Sequence, residues 1–370
     1  MSMDKRKHFG VDLINPEAQA SEISRFEQEI IKLEKQQRDM NDFKKFRLEN
    51  GVYGIRGTTD EHMIRIKVRF GAMNADQLDA IAQITEKYAT PKVSHITTRQ
   101  AIQVHHIKRG NVPTILKTLS ATGLTTREAC GNTVRNVSAS PIAGIDPNEL
   151  FDVTPYADAV SRYFLRHPVC QNLPRKFKVA FEGSSTDRAR VPIHDFGAVA
   201  RIKEVNGEKI YGFRTFAGGA LGTVPMPAYE LEEFTPANML IPTLEAVLRL
   251  FDRHGERKNR NTARLKFVIK KWGMEKFKEE FEIERKAVLM TSPGRAQWEI
   301  PHSEQEAPEK PKKIPSGLPV KDETFERWKK TNVSKQKQAG YVAVMIRCPL
   351  GDIGVKEMRG VAQVARNYSG

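Results

Sequence analysis

Cysteine is scarce in this chain. The 370 residues include three cysteines, Cys130, Cys170 and Cys348, which lie far apart and form no C-x-x-C pair. An odd number of widely spaced cysteines is not typical of a disulfide framework. An iron–sulfur cluster of the common kind needs four thiolate ligands. These three residues therefore cannot hold such a cluster by themselves, and no metal ligand is predicted in the chain.

Long apolar runs are also missing. No stretch of about 18 apolar residues occurs, so we expect no membrane span and no membrane partner. The first residues, MSMDKRKHFGVDLINPEAQ, contain no apolar core of the signal-peptide kind. A hydrophobic content of 39% and a charged content of 28% are ordinary for a globular protein. We expect a cytoplasmic protein.

Acidic residues are outnumbered by basic ones. The chain has 60 Lys and Arg against 45 Asp and Glu, which gives a net charge of +15. Such an excess suits nucleic acid, an acidic protein partner or a multiply carboxylated cofactor, and charge alone does not choose among these. The cations lie beside turns and no RNP-type signature is present, so we expect no nucleic-acid partner. A basic nucleic-acid-binding protein or a non-catalytic scaffold remains the alternative hypothesis.

The first third of the chain alternates between helical and extended patterns. Residues 22–50 predict an amphipathic helical arm packed on the surface. Residues 62–70 predict a half-buried strand, and a helix follows after Asn74, a good N-cap residue. A strand over 93–107 would place Arg99 and Gln103 on one face. With a helix near 112–122, the region predicts an α+β unit.

The next block, residues 127–300, predicts a larger α+β domain. Strand-like segments cover 176–182, 198–204, 208–216 and 264–270, and helical ones cover 155–166, 236–254 and 274–286. The glycine-rich FAGGALG, 216–222, indicates a close backbone approach. Residues 301–320 are rich in Pro, Lys and Glu and predict a linker.

An internal repeat follows the linker. YVAVMIRCPLGDIGVKEMRGVAQVARNY aligns with the stretch that ends at Tyr88, at an offset of 280 residues, so that Ile66 matches Ile346 and Gly71 matches Gly351. The second copy stops where the first continues into another strand. We therefore expect an uncovered apolar face, and a chain that is a fragment or needs another chain. A degenerate end that packs elsewhere is the alternative.

Cations lie in three separate segments. TTRQ contains Arg99, GNTVRNVSASPIAGIDPNE contains Arg135, and LPRKFK contains Lys176 and Lys178. In the last segment, strand alternation directs both lysines to one face and Phe177, like Val179 and Phe181, to the other. The pattern fits a half-exposed strand or a strand built to hold an anion, and it leaves both interpretations open.

These three segments, together with AGIDPNE, FAGGALGT and ARLKFVI, closely resemble the sirohaem-dependent assimilatory nitrite and sulfite reductase family. The resemblance covers residues 45–370, including the repeat. It implies an α+β fold in which duplicated ferredoxin-like half-domains flank a larger sirohaem-binding domain, with the second half incomplete. The predicted units are a helical arm at 1–50, a half-domain at 51–125, a reductase domain at 126–300, a linker at 301–320 and a partial half-domain at 321–370.

The resemblance also implies an activity and a site. The family reduces sulfite to sulfide or nitrite to ammonia at a sirohaem joined to a [4Fe–4S] cluster, with reduced ferredoxin or a flavoprotein reductase as electron donor. The residues it implies on the substrate side of the sirohaem are Arg99, Arg135, Lys176 and Lys178. Those it implies for the sirohaem carboxylates are Gln103, Arg264 and Lys266. We expect the arginines to anchor the anion and the lysines to deliver protons, because arginine stays protonated.

The sequence departs from the family in its cysteines. Family members carry a C-x5-C and a C-x3-C pair in their second half, and Cys130, Cys170 and Cys348 match neither spacing. We therefore expect catalysis by this chain alone to fail and a second chain to supply the cluster cysteines. Lys178 favours sulfite over nitrite, because the resemblance implies Lys there in sulfite reducers and Asn in plant-type nitrite enzymes.

Overall fold

Helices and strands alternate along the chain, and most of the strands form two five-stranded sheets. The computed structural model describes residues 16–222, 224–291, 300–307 and 322–369. The helices are α1 (Pro16–Glu34), α2 (Met40–Glu49), α3 (Ala75–Tyr88), α4 (Val112–Ala121), α5 (Thr154–Phe164), α6 (Leu240–His254), α7 (Leu265–Trp272), α8 (Met274–Thr291), α9 (Glu323–Asn332) and α10 (Val355–Tyr368). The strands are β1 (Val52–Gly54), β2 (Glu61–Ile66), β3 (Val93–Ile96), β4 (Ile102–Lys108), β5 (Ser138–Ala139), β6 (Val179–Glu182), β7 (Phe196–Val205), β8 (Glu208–Ala217), β9 (Tyr229–Pro236), β10 (Val333–Lys335), β11 (Val342–Val344) and β12 (Asp352–Gly354).

The helical arm consists of two helices rather than one. The helical conformation is interrupted between α1 and α2. Asp39 caps α2 by accepting a hydrogen bond from the amide of Asn41 at 2.8 Å. Three aromatic rings, Phe26, Phe43 and Phe46, lie with their centroids 5.3 to 6.4 Å apart and are buried in the core of the first sheet. The apolar face of the arm is thus part of that core.

The first sheet has the strand order β1-β2-β4-β3-β12. The single strand predicted over 93–107 is wrong: β3 and β4 form an antiparallel hairpin in which Ser94 faces Val104. The chain turns at 97–101, where the amide of Thr97 donates to the carbonyl of Ala101 at 2.8 Å and Gln100 has a φ of 53°. Arg99 therefore lies in the turn and does not share a strand face with Gln103.

The second sheet has the order β5-β6-β7-β8-β9, with β5, β6 and β7 parallel and the remaining pairs antiparallel. The strands predicted at 198–204 and 208–216 and the three helices predicted here are confirmed. The strand predicted at 264–270 is wrong, because that segment forms α7. Leu265, Val268 and Ile269 follow a helical spacing and are buried together.

The repeat is confirmed in three dimensions. Helices α3 and α10 begin and end at positions offset by 280 residues, and the short 3₁₀ turns Arg69–Gly71 and Pro349–Gly351 precede them at the same offset. Strand β12 pairs antiparallel with β3, and Met358 of α10 is buried in the first core. The partial second copy is thereby joined to the first.

The predicted uncovered face is also observed. Ile66 and Ile84 are 0% and 1% exposed in the first copy, whereas the matching Ile346 and Val364 are 54% and 59% exposed. We call Val344, Ile346 and Val364 the open repeat face. Strand β11 pairs only with β10 within the described residues.

Part of the predicted linker contacts both the larger domain and the partial second half-domain. The Glu304 carboxylate accepts a hydrogen bond from the amide of Asp152 at 3.1 Å, and the Gln305 carbonyl accepts one from Nε2 of Gln338 at 2.8 Å. Residues 308–320 of the predicted linker lie outside the described residues. None of the described helices combines the length and the apolar content needed to cross a membrane.

Candidate anion-binding site

The lysine segment leads into β6, an inner strand of the second sheet. Phe177, Val179 and Phe181 are fully buried, while Lys176 and Lys178 are half-buried. A parallel bridge joins Phe177 to Val134. The alternation predicted from the sequence is therefore confirmed over 176–179, and the apolar side chains anchor the strand that presents the two lysines.

Arg99 reaches this strand from the β3–β4 turn. Its Nη1 donates to Oγ of Ser138 at 2.9 Å, and its Nη2 donates to the carbonyl of Val179 at 2.9 Å and to that of Asn136. Burial lowers the pKa of Arg99 to about 9, and Asp195 opposes this effect. The guanidinium thus holds the first domain against the start of β5 and β6, while its buried Nε has no partner within the described residues.

Arg135 acts on Lys176 from a second segment. Its backbone amide donates to the carbonyl of Phe177 at 2.8 Å, which fixes the two segments together. Its Nη1 donates to the carbonyl of Ala129 at 2.8 Å, its Nε to that of Gly131 at 3.1 Å, and its Nη2 to the hydroxyl of Tyr53 at 3.3 Å. The side chain is therefore held in one direction beside Lys176.

Burial and neighbouring cations act together on the two lysines. Burial, followed by Arg135, Arg264 and Arg175, lowers the pKa of Lys176 to about 8. Burial, followed by Arg99, Arg264 and Lys176, lowers the pKa of Lys178 to about 8. A lysine in this range exists in both protonation states near neutral pH, so it can give up a proton as well as attract an anion.

The three residues predicted to hold the sirohaem carboxylates, Arg264, Lys266 and Gln103, lie in different places. Arg264 lies within the cation cluster and is ion-paired to Asp195, with Nη2 to Oδ2 at 2.6 Å. Lys266 is directed elsewhere: its Nζ donates to the carbonyl of Val224 and lies 5.1 Å from the ring centroid of Phe267. The amide of Gln103 lies 3.3 Å from Nε2 of His105, on β4.

Gln103 is connected to Arg135 through two residues that the sequence did not indicate. Arg65 faces Gln103 across β2 and β4, and in the amide orientation that satisfies both partners the Gln103 oxygen accepts from Nε of Arg65 at 2.9 Å. The Arg65 guanidinium lies 5.3 Å from the ring centroid of Tyr53, the residue whose hydroxyl contacts Arg135. The alternation of cations along β2 was the available signal for Arg65, but only the strand register shows its neighbours.

Asp195 is a third residue that the sequence did not indicate. The nearest carboxylate along the chain is Glu182, four residues after Lys178 and beyond pairing distance along an extended strand. Asp195, in contrast, is fully buried next to both lysines in space. It immediately precedes β7, whose parallel pairing sets Phe196 opposite Val179. The only sequence signal is an acidic residue at the start of an apolar strand.

The cysteines do not fit an iron–sulfur cluster. Burial raises the pKa of Cys130 to about 11 and also raises the pKa of Cys170, which disfavours the thiolate forms that bind metals. All three cysteines are unpaired, and within the described ranges no group of three or more metal-ligating side chains occurs. The cation cluster, in contrast, fits a ligand that carries several carboxylates.

Comparison with known proteins agrees with this chemistry. Residues 55–122 match the nitrite/sulfite reductase ferredoxin-like half domain, and residues 130–288 match the nitrite and sulphite reductase 4Fe-4S domain. An assimilatory ferredoxin-dependent nitrite reductase of Haloferax mediterranei is 33% identical, covering 63% of this chain and 42% of that protein. A sulfite reductase [ferredoxin] 1 of Mycolicibacterium paratuberculosis is 34% identical, covering 65% of this chain and 43% of that protein.

A solved structure gives the same result. The Mycobacterium tuberculosis NirA protein matches with a TM-score of 0.71 and 29% identity, covering 89% of this chain and 57% of that one. The chain spans less than half the length of the two curated relatives above. These matches favour the reductase hypothesis over the nucleic-acid-binding or scaffold alternative.

Proposed function

Since the chain belongs to the nitrite and sulfite reductase family, we propose that it supplies the anion- and sirohaem-binding part of an enzyme that reduces sulfite or nitrite by several electrons. The observation that carries this proposal is the convergence of Arg99, Arg135, Lys176 and Lys178 from three separate segments. Half-buried cations without a matching number of carboxylates attract small anions strongly, because little water screens them.

The sirohaem would be held by the cations of this cluster. The site is surrounded by Arg135, Lys176 and Lys178, and Arg175 lies beside Lys176. Arg264 binds Asp195 through its Nε and Nη2, which leaves its Nη1 for a ligand. When bound, sirohaem would supply the iron-centred electron transfer that reduction of the anion requires. Gln103 belongs to this proposal through Arg65, whereas Lys266 is linked to the cluster electrostatically, through Arg264 and Asp195.

Each cation has a distinct chemical task in the proposal. Arg135 is held by three acceptors and anchors the anion, since a guanidinium fixed in one direction presents its remaining N–H donors to the anion. Arg99 contributes positive charge and joins the two domains through its Nη atoms. Lys176 and Lys178 deliver protons, because their pKa values of about 8 allow them to protonate an oxygen of the anion and to be reprotonated from solvent.

We propose sulfite ahead of nitrite as the substrate. Support comes from Lys178, the position at which the family resemblance implies lysine in sulfite reducers. The relatives include reductases of both anions. A ferredoxin is the proposed electron donor, because both relatives are named for it and a chain of net charge +15 attracts an acidic protein. A flavoprotein reductase is the alternative donor.

A second polypeptide segment is proposed to cover the open repeat face and to carry the cluster cysteines. In the first copy, Ile66 pairs with Ile102 of β4, and β3, β4 and α4 together complete that core. The occupant of the open repeat face is therefore a strand–strand–helix unit of the same chemistry as residues 93–121, which extends the sheet from β11.

A binding experiment tests the second segment. The purified chain is mixed with the separately expressed C-terminal half of the Haloferax relative, and complex formation is followed by size-exclusion chromatography. We expect a complex that Ile346→Glu abolishes. The control is Val205→Glu, which alters an exposed valine of β7 that lies outside the repeat. A chain that forms no complex, or a complex that survives Ile346→Glu, would reject this part of the proposal.

Titration with sirohaem and with anions tests the function itself. We expect the chain to bind sirohaem, followed by its visible absorbance, and nitrite and sulfite, followed by calorimetry. The double variant Lys176→Gln with Lys178→Gln should lose at least about tenfold in anion affinity, as expected for removal of two partly buried charges. The control is Lys270→Gln, which alters an exposed lysine of α7. Binding that is unchanged in the double variant would contradict the proposed site.

A reducing compartment such as the cytoplasm is the proposed location. The three cysteines are all unpaired, and two are buried with raised pKa values. Unpaired buried thiols persist in compartments that keep cysteines reduced.

A further inference from the structure

Asp195 combines full burial with contacts to the lysine segment and to Arg264. Its Oδ2 accepts the backbone amide of Lys178 at 2.8 Å. The same carboxylate binds Arg264 through two hydrogen bonds, Nε to Oδ1 at 3.0 Å and Nη2 to Oδ2 at 2.6 Å. A buried carboxylate with three charge-assisted or backbone donors is fixed in position.

The backbone around Asp195 is fixed as well. Its carbonyl accepts the amide of Gly218 at 2.9 Å, and the amide of Phe196 donates to the carbonyl of Lys178 at 3.1 Å. A Cβ atom at Gly219 would lie 2.1 Å from the carbonyl oxygen of Pro192. The close backbone approach predicted from FAGGALG is therefore confirmed, and it presses the segment before Asp195 against the end of β8.

The charges around the two lysines have opposite effects. Arg99, Arg135, Arg175 and Arg264 lower the lysine pKa values, and among the groups that act on both lysines Asp195 is the one that raises them. His194, the preceding residue, is buried, and burial followed by Arg99 lowers its pKa to about 3, so it is neutral at working pH. Asp195 is therefore the negative charge that counteracts the repulsion among the cations.

We propose that Asp195 is a positioning residue of the anion site, which keeps Lys176 and Lys178 protonated near neutral pH and aims Arg264 at the ligand. This inference rests on the proposed function, because it assigns how the same cation cluster binds an anion. Asp195 itself does not contact the ligand. It acts through the Lys178 backbone, through the Arg264 fork and through its charge.

The pH dependence of anion binding separates this role from a structural one. Nitrite is the probe, because it stays singly charged over the working range. In Asp195→Asn we expect the pH at which nitrite binding is half lost to fall below that of the unmodified chain. At pH 8 the variant should bind nitrite about threefold more weakly or worse, whereas at pH 6 it should bind equally well or better, because one negative charge is gone. A structural defect would weaken binding at every pH.

Two further variants test the direction of the shift in half-loss pH and provide a control. Arg264→Gln removes a positive neighbour, so its half-loss pH should move upward, opposite to Asp195→Asn. The control is Asp146→Asn, another buried carboxylate, which is not among the groups that shift the lysine pKa values. If Asp195→Asn fails to fold, the Arg264→Gln shift and Asp195→Glu, which should restore binding near pH 8, decide the question.

A second measurement is independent of ligand binding. Lysines labelled by reductive methylation with ¹³C report their own titration by NMR. We expect the Lys176 and Lys178 resonances of Asp195→Asn to titrate at lower pH than in the unmodified chain. Unchanged titration midpoints would overturn the role of Asp195. A chain that binds neither nitrite nor sulfite, but shows the shifted lysine titration, would refute the proposed function and leave the electrostatic role of Asp195 intact.

Discussion

Gly71 and Gly351 lie 280 residues apart and adopt the same left-handed backbone conformation, with φ values of 80° and 84°. Each follows a bulky residue that also has a positive φ, Phe70 at 40° and Leu350 at 57°. The two turns therefore share a conformation that few sequences adopt, which is stronger support for duplication than matched hydrophobic positions. What differs between the copies is the surface that each turn meets.

The first prediction concerns Gly351→Ala. A Cβ atom at this position would lie 2.6 Å from the carbonyl oxygen of Ile96, and the positive φ already disfavours a side chain. We expect a loss of about 1–3 kcal/mol in the free energy of unfolding, measured by urea denaturation.

The control for this prediction is Gly360→Ala. Gly360 lies within α10, where an added Cβ meets no atom within 4 Å. Alanine there should stabilise the chain by about 0.5–1 kcal/mol. A neutral Gly351→Ala would show that the turn relaxes freely and that β12 does not require it.

Local patterns predicted the elements of this fold better than its turns. Alternation in 62–70 and helical spacing after Asn74 gave β2 and α3. The same reasoning wrongly predicted a continuous strand through 97–101, because the sequence there alternates although the chain reverses direction. It also wrongly predicted a strand at 264–270, since a short apolar run fits both the helical and the strand period. In each case the packing of neighbouring segments decided.

The candidate site was predictable only in part. The cations were visible as residues, but their convergence depends on pairing between segments that lie far apart in the chain. Asp195 shows the limit most clearly, because 17 residues separate it from Lys178 and only the parallel register of β6 and β7 joins them. No spacing rule in the sequence reveals that contact.

The second prediction compares equivalent positions of the two copies. Ile84 is 1% exposed and Val364, at the same position of the repeat, is 59% exposed. Ile84→Ala should cost about 2–5 kcal/mol in unfolding free energy, because it leaves a cavity. Val364→Ala should change stability by less than about 0.5 kcal/mol. Thermal denaturation of the two variants side by side measures the difference. Equal losses would mean that the open repeat face is covered in solution.

The third prediction concerns Arg99→Lys. The guanidinium donates to Ser138, Asn136 and Val179 at once, and an ammonium group cannot reproduce that fork. We expect a loss of about 2–4 kcal/mol in unfolding free energy, because buried carbonyl groups lose charged donors. Arg56→Lys, at an exposed position, is the control and should be nearly neutral. A stable Arg99→Lys would show that water replaces the missing donors.

The last prediction concerns the pH dependence of anion binding. The pKa values of Lys176 and Lys178 are lowered to about 8, so both are mostly protonated below that pH and mostly neutral above it. Nitrite affinity should therefore be highest below pH 8 and should fall as the pH rises through 8, and the lowered pKa of Arg99, about 9, should add to the loss towards pH 10. In Lys178→Arg the charge persists, so the variant should retain more of its affinity at pH 9 than the unmodified chain does. Isothermal calorimetry from pH 6 to pH 10 measures both curves, with Lys270→Arg as the exposed control. A flat profile for the unmodified chain would mean that the arginines alone bind the anion and that the lysines do not titrate with it.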